Sequence, residues 1–522
     1  MTESSEAPAT APVLGETNTV GATTPRSRAT RSDWIVLTLT ISSLSLWFWL
    51  GFPWQHHNES LVWAIELARA SFWDTLASNP ITPVQTYRPL GVAMAWVLFS
   101  ITHQGIWLQQ LVNFAITAYA WVLASRSVQN RIEFAWLSFV CNAGFFSGYI
   151  YLFHLHGVFY GPLFLYLAYL LMLDRREPEM SWRMGLTQLG IAIVVSLFHT
   201  FALLFYAAFL AGTWLQNRVR GKEGGLAIAV ACAFVSGILM KLLVSGAPGL
   251  GADDPVLGSV VTYRALELNG LLSALSIVLA VLTAITAKPF AKFRALAALG
   301  TLVTGAVLLY LGLPAIFAWI AVCLCTSLLQ RNFAMSALIG ATALLSVATA
   351  TGSPTYGLFT LMTCVCVTAD ALPTSDSMIE ILRKGAVAAI AAVVLLFVSL
   401  RADVHIPLVS NQVLALRAEG EKTQQMMQVF DWIDAQPTLK GHLQLCQPGD
   451  FPVRSNDAIV RTFRAPTHAW PFDEYVKARF GPRVAELHPE LLLCFGGQRP
   501  PGTSVVHVIE GRWAGDVALL TR

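Results

Sequence analysis

Pro89-Leu90-Gly91-Val92-Ala93-Met94-Ala95-Trp96-Val97-Leu98-Phe99-Ser100-Ile101 is the stretch on which the reading of the whole chain turns. It is apolar enough to enter a bilayer, but as a helix it rises only about 20 Å, short of the ~30 Å hydrocarbon core. Apolar runs of this length suit re-entrant or interfacial segments, so the sequence predicts that it stays on the outer side. Counting it as a crossing would swap the side of every later turn. Arg126, Arg175 and Arg220 would then lie outside, against the tendency of cationic turns to remain in the cytoplasm.

The chain around it has 522 residues, 55% of them hydrophobic and only 12% charged. Soluble proteins carry roughly twice that charge, so the composition predicts an all-α polytopic membrane protein. A formal net charge of +3 is far too small for a nucleic-acid binder, which must neutralise many phosphates. Residues 1–32, rich in Ser, Thr, Ala and Pro, read as a disordered cytoplasmic tail ending in Arg26, Arg28 and Arg31. Residues 34–50 follow as an uncleaved first span, since no small-residue cleavage site succeeds them.

Later apolar runs fall at about 107–125, 132–150, 158–173, 183–197, 200–216, 225–244, 269–287, 295–311, 314–330, 333–350, 355–371 and 384–400. Together they predict a transmembrane domain over 33–400 with about thirteen helices. Within it, His199-Thr200 and Gly312-Leu313-Pro314 break two continuous apolar stretches. Cytoplasmic turns would then hold Arg126, Arg131, Arg175, Arg176, Arg183, Arg218, Arg220 and Lys222, whereas Arg264 is the one cation in the opposite turns from 149 onward.

An odd number of crossings places residues 401–522 outside the cytoplasm as a small C-terminal α/β domain. Residues 424–435 read as helix and 442–446, 491–495 and 504–509 as strands. Cys446 and Cys494 there either pair or sit as two buried thiols. Cys141, Cys232, Cys323, Cys325, Cys364 and Cys366 read as small core residues.

The outer loop at 51–106 carries most of the polar chemistry. Pro53-Trp54-Gln55-His56-His57-Asn58-Glu59-Ser60 precedes a stretch in which Glu66, Arg69 and Asp74 share one helical sector opposite Leu61, Ile65, Phe72 and Leu76. That pattern predicts an amphipathic helix lying in the membrane interface. Glu59 reads either as a general base, which turns an acceptor hydroxyl into a nucleophile, or as a solvated cap of the next helix. Arg88 reads either as a phosphate ligand or as a snorkelling interface arginine, and Arg264 and Lys241 carry the same two readings. In the second outer loop, His154 and His156 either line a sugar or lipid groove or bind a divalent metal with His56 or His57. His199 reads as a satisfied turn residue, and Asp253-Asp254-Pro255 either as a solvated turn or as a contact for the acceptor.

The order of first span, outer acidic residue, interfacial helix, Tyr87-Arg88-Pro89-Leu90 opening a short helix, and then Trp107–Ser125 containing Asn113 resembles the GT-C glycosyltransferases. It is most similar to the tetratricopeptide-containing protein O-mannosyltransferases, and the layout with an outer C-terminal domain also resembles the lipid A aminoarabinose transferases. The resemblance implies a multi-pass GT-C-like enzyme of the inner membrane, with a cytoplasmic N-terminus and a periplasmic C-terminus. Its implied reaction moves a sugar from a polyprenyl-phosphate donor to an envelope glycan, glycolipid or protein. Glu59 would be catalytic, Arg88, Arg264 and Lys241 would hold the donor phosphate, and His56, His57, Tyr87, His154 and His156 would line the groove. The family often has Asp or a carboxylate pair where this chain has a lone Glu59. A catalytically inactive relative acting in envelope assembly is therefore one alternative. A transporter or lipid flippase is another, disfavoured because the apolar runs hold almost no ionisable residues.

Overall fold

Apolar runs punctuated by Pro, Gly and cationic turns satisfy their backbone groups internally by coiling, and a helical body results. The computed structural model describes residues 31–51, 71–78, 88–102, 107–153, 157–176, 179–222, 225–243, 260, 262–264, 266–267, 270–348, 354–373, 378–400, 412–446, 480, 490–511 and 515–522. Among them, α1 (Arg31–Gly51), α2 (Phe72–Ser78), α3 (Pro89–Ile101), α4 (Trp107–Ser125) and α5 (Arg131–Gly144) come first. A 3-10 turn then leads to α6 (Ile150–Phe153), α7 (Gly157–Arg175), α8 (Trp182–Ser196), α9 (Ala202–Val219) and α10 (Leu226–Leu243). Next follow α11 (Gly270–Thr286), α12 (Arg294–Tyr310), α13 (Ile316–Leu329), α14 (Phe333–Ala348), α15 (Pro354–Ala371) and α16 (Met378–Leu400). The last helix, α17 (Gln412–Asp434), precedes strands β1 (His442–Leu445), β2 (Glu490–Cys494), β3 (Ser504–Ile509) and β4 (Val517–Thr521).

The chain turns between α8 and α9 at His199 and between α12 and α13 at Gly312, where a φ of 67° suits a residue without Cβ. Of the stretch predicted as an interfacial helix, only the part from Ser71 lies among the described residues. There the Ser71 hydroxyl accepts from the Asp74 N–H at 3.1 Å and donates to the Asp74 carboxylate at 2.6 Å, which caps a helix that begins at Phe72.

The expectation of about thirteen transmembrane helices is overturned. Among the described residues, one helix, Gly157–Arg175, is long and apolar enough to cross a membrane, and it lies mostly inside the protein. Shorter apolar segments, such as Gly270–Thr286, Arg294–Tyr310 and Ile316–Leu329, have 10–17 residues and reach at most about 26 Å. The GT-C-like thirteen-span fold class falls with that count. Apolar composition does not distinguish lipid exposure from packing between helices, and much of it here serves packing.

α15 illustrates the point. Leu358, Phe359, Leu361, Met362, Val365 and Cys366 are all within 1% of full burial, and its threonines are satisfied by neighbours. The Thr360 hydroxyl meets Tyr263 Oη at 2.8 Å, Thr368 meets Thr283 at 2.8 Å and accepts from Trp319 Nε1 at 2.9 Å, and Thr355 donates to the Gly148 carbonyl at 2.8 Å. A helix apolar on every face belongs at the centre of a bundle. Of the six cysteines expected in the core, five are buried and Cys325 is exposed.

In the tail, the three strand-length apolar runs lie on β1, β2 and β3, and β4 joins them in the order β1-β2-β4-β3. β1 pairs parallel to β2, and β4 pairs antiparallel to both β2 and β3. Met426, Val429, Phe430 and Ile433 of α17 pack on Leu443, Leu491, Leu493 and Leu519 of the sheet. The same buried cluster takes in Val92, Ala95 and Phe99 of α3 and Phe159 of α7, so the tail covers α3. Cys446 and Cys494 are joined by a disulfide across the ends of β1 and β2, with Cα atoms 5.0 Å apart.

Candidate functional site

Arg88 stands immediately before α3, and three local features hold it. Pro89 occupies the first turn, the Leu90 N–H donates to the Leu197 carbonyl at 3.2 Å, and Gly91 lies so close to the Phe159 ring that a Cβ there would overlap it. The start of α3 is thereby pinned between the α8–α9 turn and the first turn of α7. Consequently the Arg88 guanidinium sits over the Phe159 ring, 5.5 Å from its centre. Its Nε is buried and has no hydrogen-bond partner.

His199 is fully buried in the adjoining turn. Its Nδ1 accepts from the Phe201 N–H at 3.4 Å, which leaves Nε2 to face the Tyr356 hydroxyl at 3.5 Å. Tyr160 donates to the same Tyr356 oxygen at 3.2 Å. The Tyr160 ring packs 5.2 Å from His199 and 5.4 Å from Tyr356. Burial, and then the charge of Arg88, push the His199 pKa well below the usual histidine value, so the imidazole is neutral. An arginine with spare hydrogen-bonding capacity beside a neutral imidazole and two phenols can accept an oxyanion, and among the described residues no carboxylate forms an ion pair with it.

The first turns of α15 connect this cluster to a second polar site. Tyr356 faces His199, the neighbouring Gly357 packs under Leu266, and Thr360 bonds Tyr263. Arg264, between those two residues, is exposed, and its Nη2 lies over Gly312, where an added Cβ would meet it at 2.9 Å. Beneath it, Glu267 is buried and accepts from the Ala315 N–H at 2.8 Å and from the Ser273 hydroxyl at 3.1 Å. Burial raises the Glu267 pKa. Ser276 and the two N–H groups at the start of α13 pull it back down, though Oε1 itself completes no hydrogen bond.

Of the residues picked from sequence, Arg88 and Arg264 thus lie near the same helix, α15, within two different clusters. Lys241 is exposed in the last turn of α10. Glu59, His56, His57, Tyr87, His154 and His156 lie outside the described residues, as do Asp253 and Asp254. Among the described residues no group of three His, Cys, Asp or Glu side chains is arranged to hold a metal ion. Sequence reasoning missed Glu267, Tyr160 and Tyr356, and it read His199 as an ordinary turn residue. The one signal for His199 was its place at a break between apolar runs. Compared with known proteins, the chain matches no protein-family model, no curated protein and no solved structure.

Proposed function

We propose that this protein is a membrane-associated glycosyltransferase that moves a sugar from a polyprenyl-phosphate donor to a cell-envelope acceptor outside the cytoplasm. The observation that carries the reading is Arg88, fixed at the start of α3 against Phe159 with a buried, unpartnered Nε and no counter-ion among the described residues. A phosphate is the anion that such a fork suits, because its oxygens accept parallel N–H bonds. Arg264, equally without an ion pair among the described residues, is the second cation.

In this reading an acceptor hydroxyl attacks C1 of the donor sugar while Glu59 takes its proton. The bond from C1 to the phosphate oxygen breaks, and the charge that develops on the departing polyprenyl phosphate is met by Arg88. Two further features support the setting. Large apolar side chains such as Phe234 and Leu242 on α10 and Leu296, Leu299, Leu302 and Tyr310 on α12 are exposed, as expected of a lipid-facing surface. The Cys446–Cys494 disulfide suits an oxidising compartment for the tail.

Envelope glycans and lipid-linked sugars compared between a deletion strain, the wild type and Glu59→Gln test the reading. Polyprenyl-phosphate sugar should accumulate in the first and third. An unchanged glycan and lipid profile with well-expressed Glu59→Gln would overturn it.

A further inference from the structure

We infer that Gln110 forms a subsite for a neutral hydroxylated ring, and, resting on the transferase reading above, that this ring is the sugar of the donor. Gln110 lies in the first turn of α4 and is 1% exposed. Neither its Oε1 nor its Nε2 has a hydrogen-bond partner. The other buried glutamines of this kind are at least half used: Gln188 Nε2 donates to Tyr169 at 2.9 Å, and Gln425 Nε2 donates to the Gly515 carbonyl at 2.9 Å. Burying an amide with both ends idle is costly, and such a group calls for a partner that arrives from outside the fold.

The surroundings define that partner. α4 carries no charged residue anywhere along its length, so nothing on this helix selects for charge in the ligand part that reaches Gln110. An amide offers donors and an acceptor together, which matches hydroxyl groups, since these also do both. Helical spacing puts Trp107 one turn before Gln110 and Phe114 one turn after it. Phe114 in turn stacks on Phe153 with ring centres 6.0 Å apart. Aromatic walls with a few placed polar groups are the usual make-up of a small-molecule pocket.

Position ties this subsite to the phosphate site. Asn113, buried one turn below Gln110 on a neighbouring face, presses its amide so closely on Gly157 that no Cβ fits there. Two residues further along the same turn of α7, Phe159 carries the Arg88 guanidinium. Arg88 and the amide-bearing turn of α4 therefore flank one turn of α7, as a phosphate and its attached sugar would require.

The test uses the purified full-length protein in lipid nanodiscs, titrated with farnesyl phosphate alone and with farnesyl phosphates bearing mannose, glucose, N-acetylglucosamine or arabinose, read by tryptophan fluorescence. At least one sugar should tighten binding about tenfold over bare farnesyl phosphate. Gln110→Met should erase that increment, bind bare farnesyl phosphate as the wild type does, and melt no lower, because it removes an idle amide without changing shape. Should that variant fail to fold, Gln110→Glu, which keeps the acceptor and loses the donors, should cut the increment several-fold. Retention of the full increment in these variants, or no increment from any sugar in the wild type, overturns the subsite and leaves the transferase reading standing. Failure of farnesyl phosphate itself to bind overturns both.

Discussion

The two ends of the helical body handle charge in opposite ways. At the end where α4 and α7 finish and α5 begins, charges meet counter-charges. Asp33 pairs with Arg126 at 3.4 Å and Arg131 at 3.3 Å, and Lys384 pairs with buried Glu133 at 3.1 Å. Asp370 accepts from the Gln129 N–H at 2.6 Å. At the end where α4, α7 and α15 begin, Arg88 and Arg264 have no counter-ion among the described residues, His199 is held neutral, and Gln110 is idle. Paired charge holds elements together; unpaired polar capacity in a buried setting costs stability and is kept where a ligand supplies the missing partner.

Substitutions at the two ends should separate these roles. The largest effect is expected for Arg88→Ala, which should weaken farnesyl phosphate binding about 10- to 100-fold, the worth of a hydrogen bond to a charged group, with no loss of melting temperature. A parallel fall in stability would place Arg88 with the structural ion pairs instead. Next comes Lys384→Met, which removes an ion-pair partner from the buried Glu133 carboxylate. Because Lys384 is itself partly exposed, we expect a loss of about 2 kcal/mol, below the range for fully buried pairs, with phosphate binding unchanged. Chemical denaturation and the same titration check both halves.

The smallest effect concerns pH. His199 in the fold has a pKa below its unfolded value near 6.5, so the unfolded chain takes up a proton first as the medium is acidified. Its contribution is therefore flat above pH 6.5 and becomes destabilising as pH falls below it, by at most about 1.4 kcal/mol per unit. Unfolding measured from pH 7.5 to 5.5 should show a shallower acid-side loss for His199→Gln than for the wild type. Equal slopes would mean that His199 takes up a proton in the fold, contrary to its burial beside Arg88.

Part of the site was legible because it is local. Tyr87-Arg88-Pro89-Leu90 flags an arginine fixed before a short helix, and the helix α3 does begin at Pro89. Arg264 was visible as the one cation among turns otherwise free of positive charge. The remainder depends on residues far apart in sequence. Glu267 acquires its role from Ala315, 48 residues away, and His199 from Tyr356, 157 residues away. Gln110 sits in an apolar run where a single amide has no periodicity to mark it.

Taken alone, the sequence determined where most helices lie, because Pro, Gly, N-capping side chains and cationic turns act over a few residues, although the run at 132–150 divides into α5, a 3-10 turn and α6, and α16 begins six residues before the predicted 384. It also determined that charge collects in turns and leaves the apolar runs bare. Only the tertiary structure decided which apolar faces are buried against protein and which are exposed, as in the contrast between α15 and α12. Hydrophobic burial has no direction and registers apolar area alone, so a core helix and a membrane span carry the same signature until their neighbours are in place.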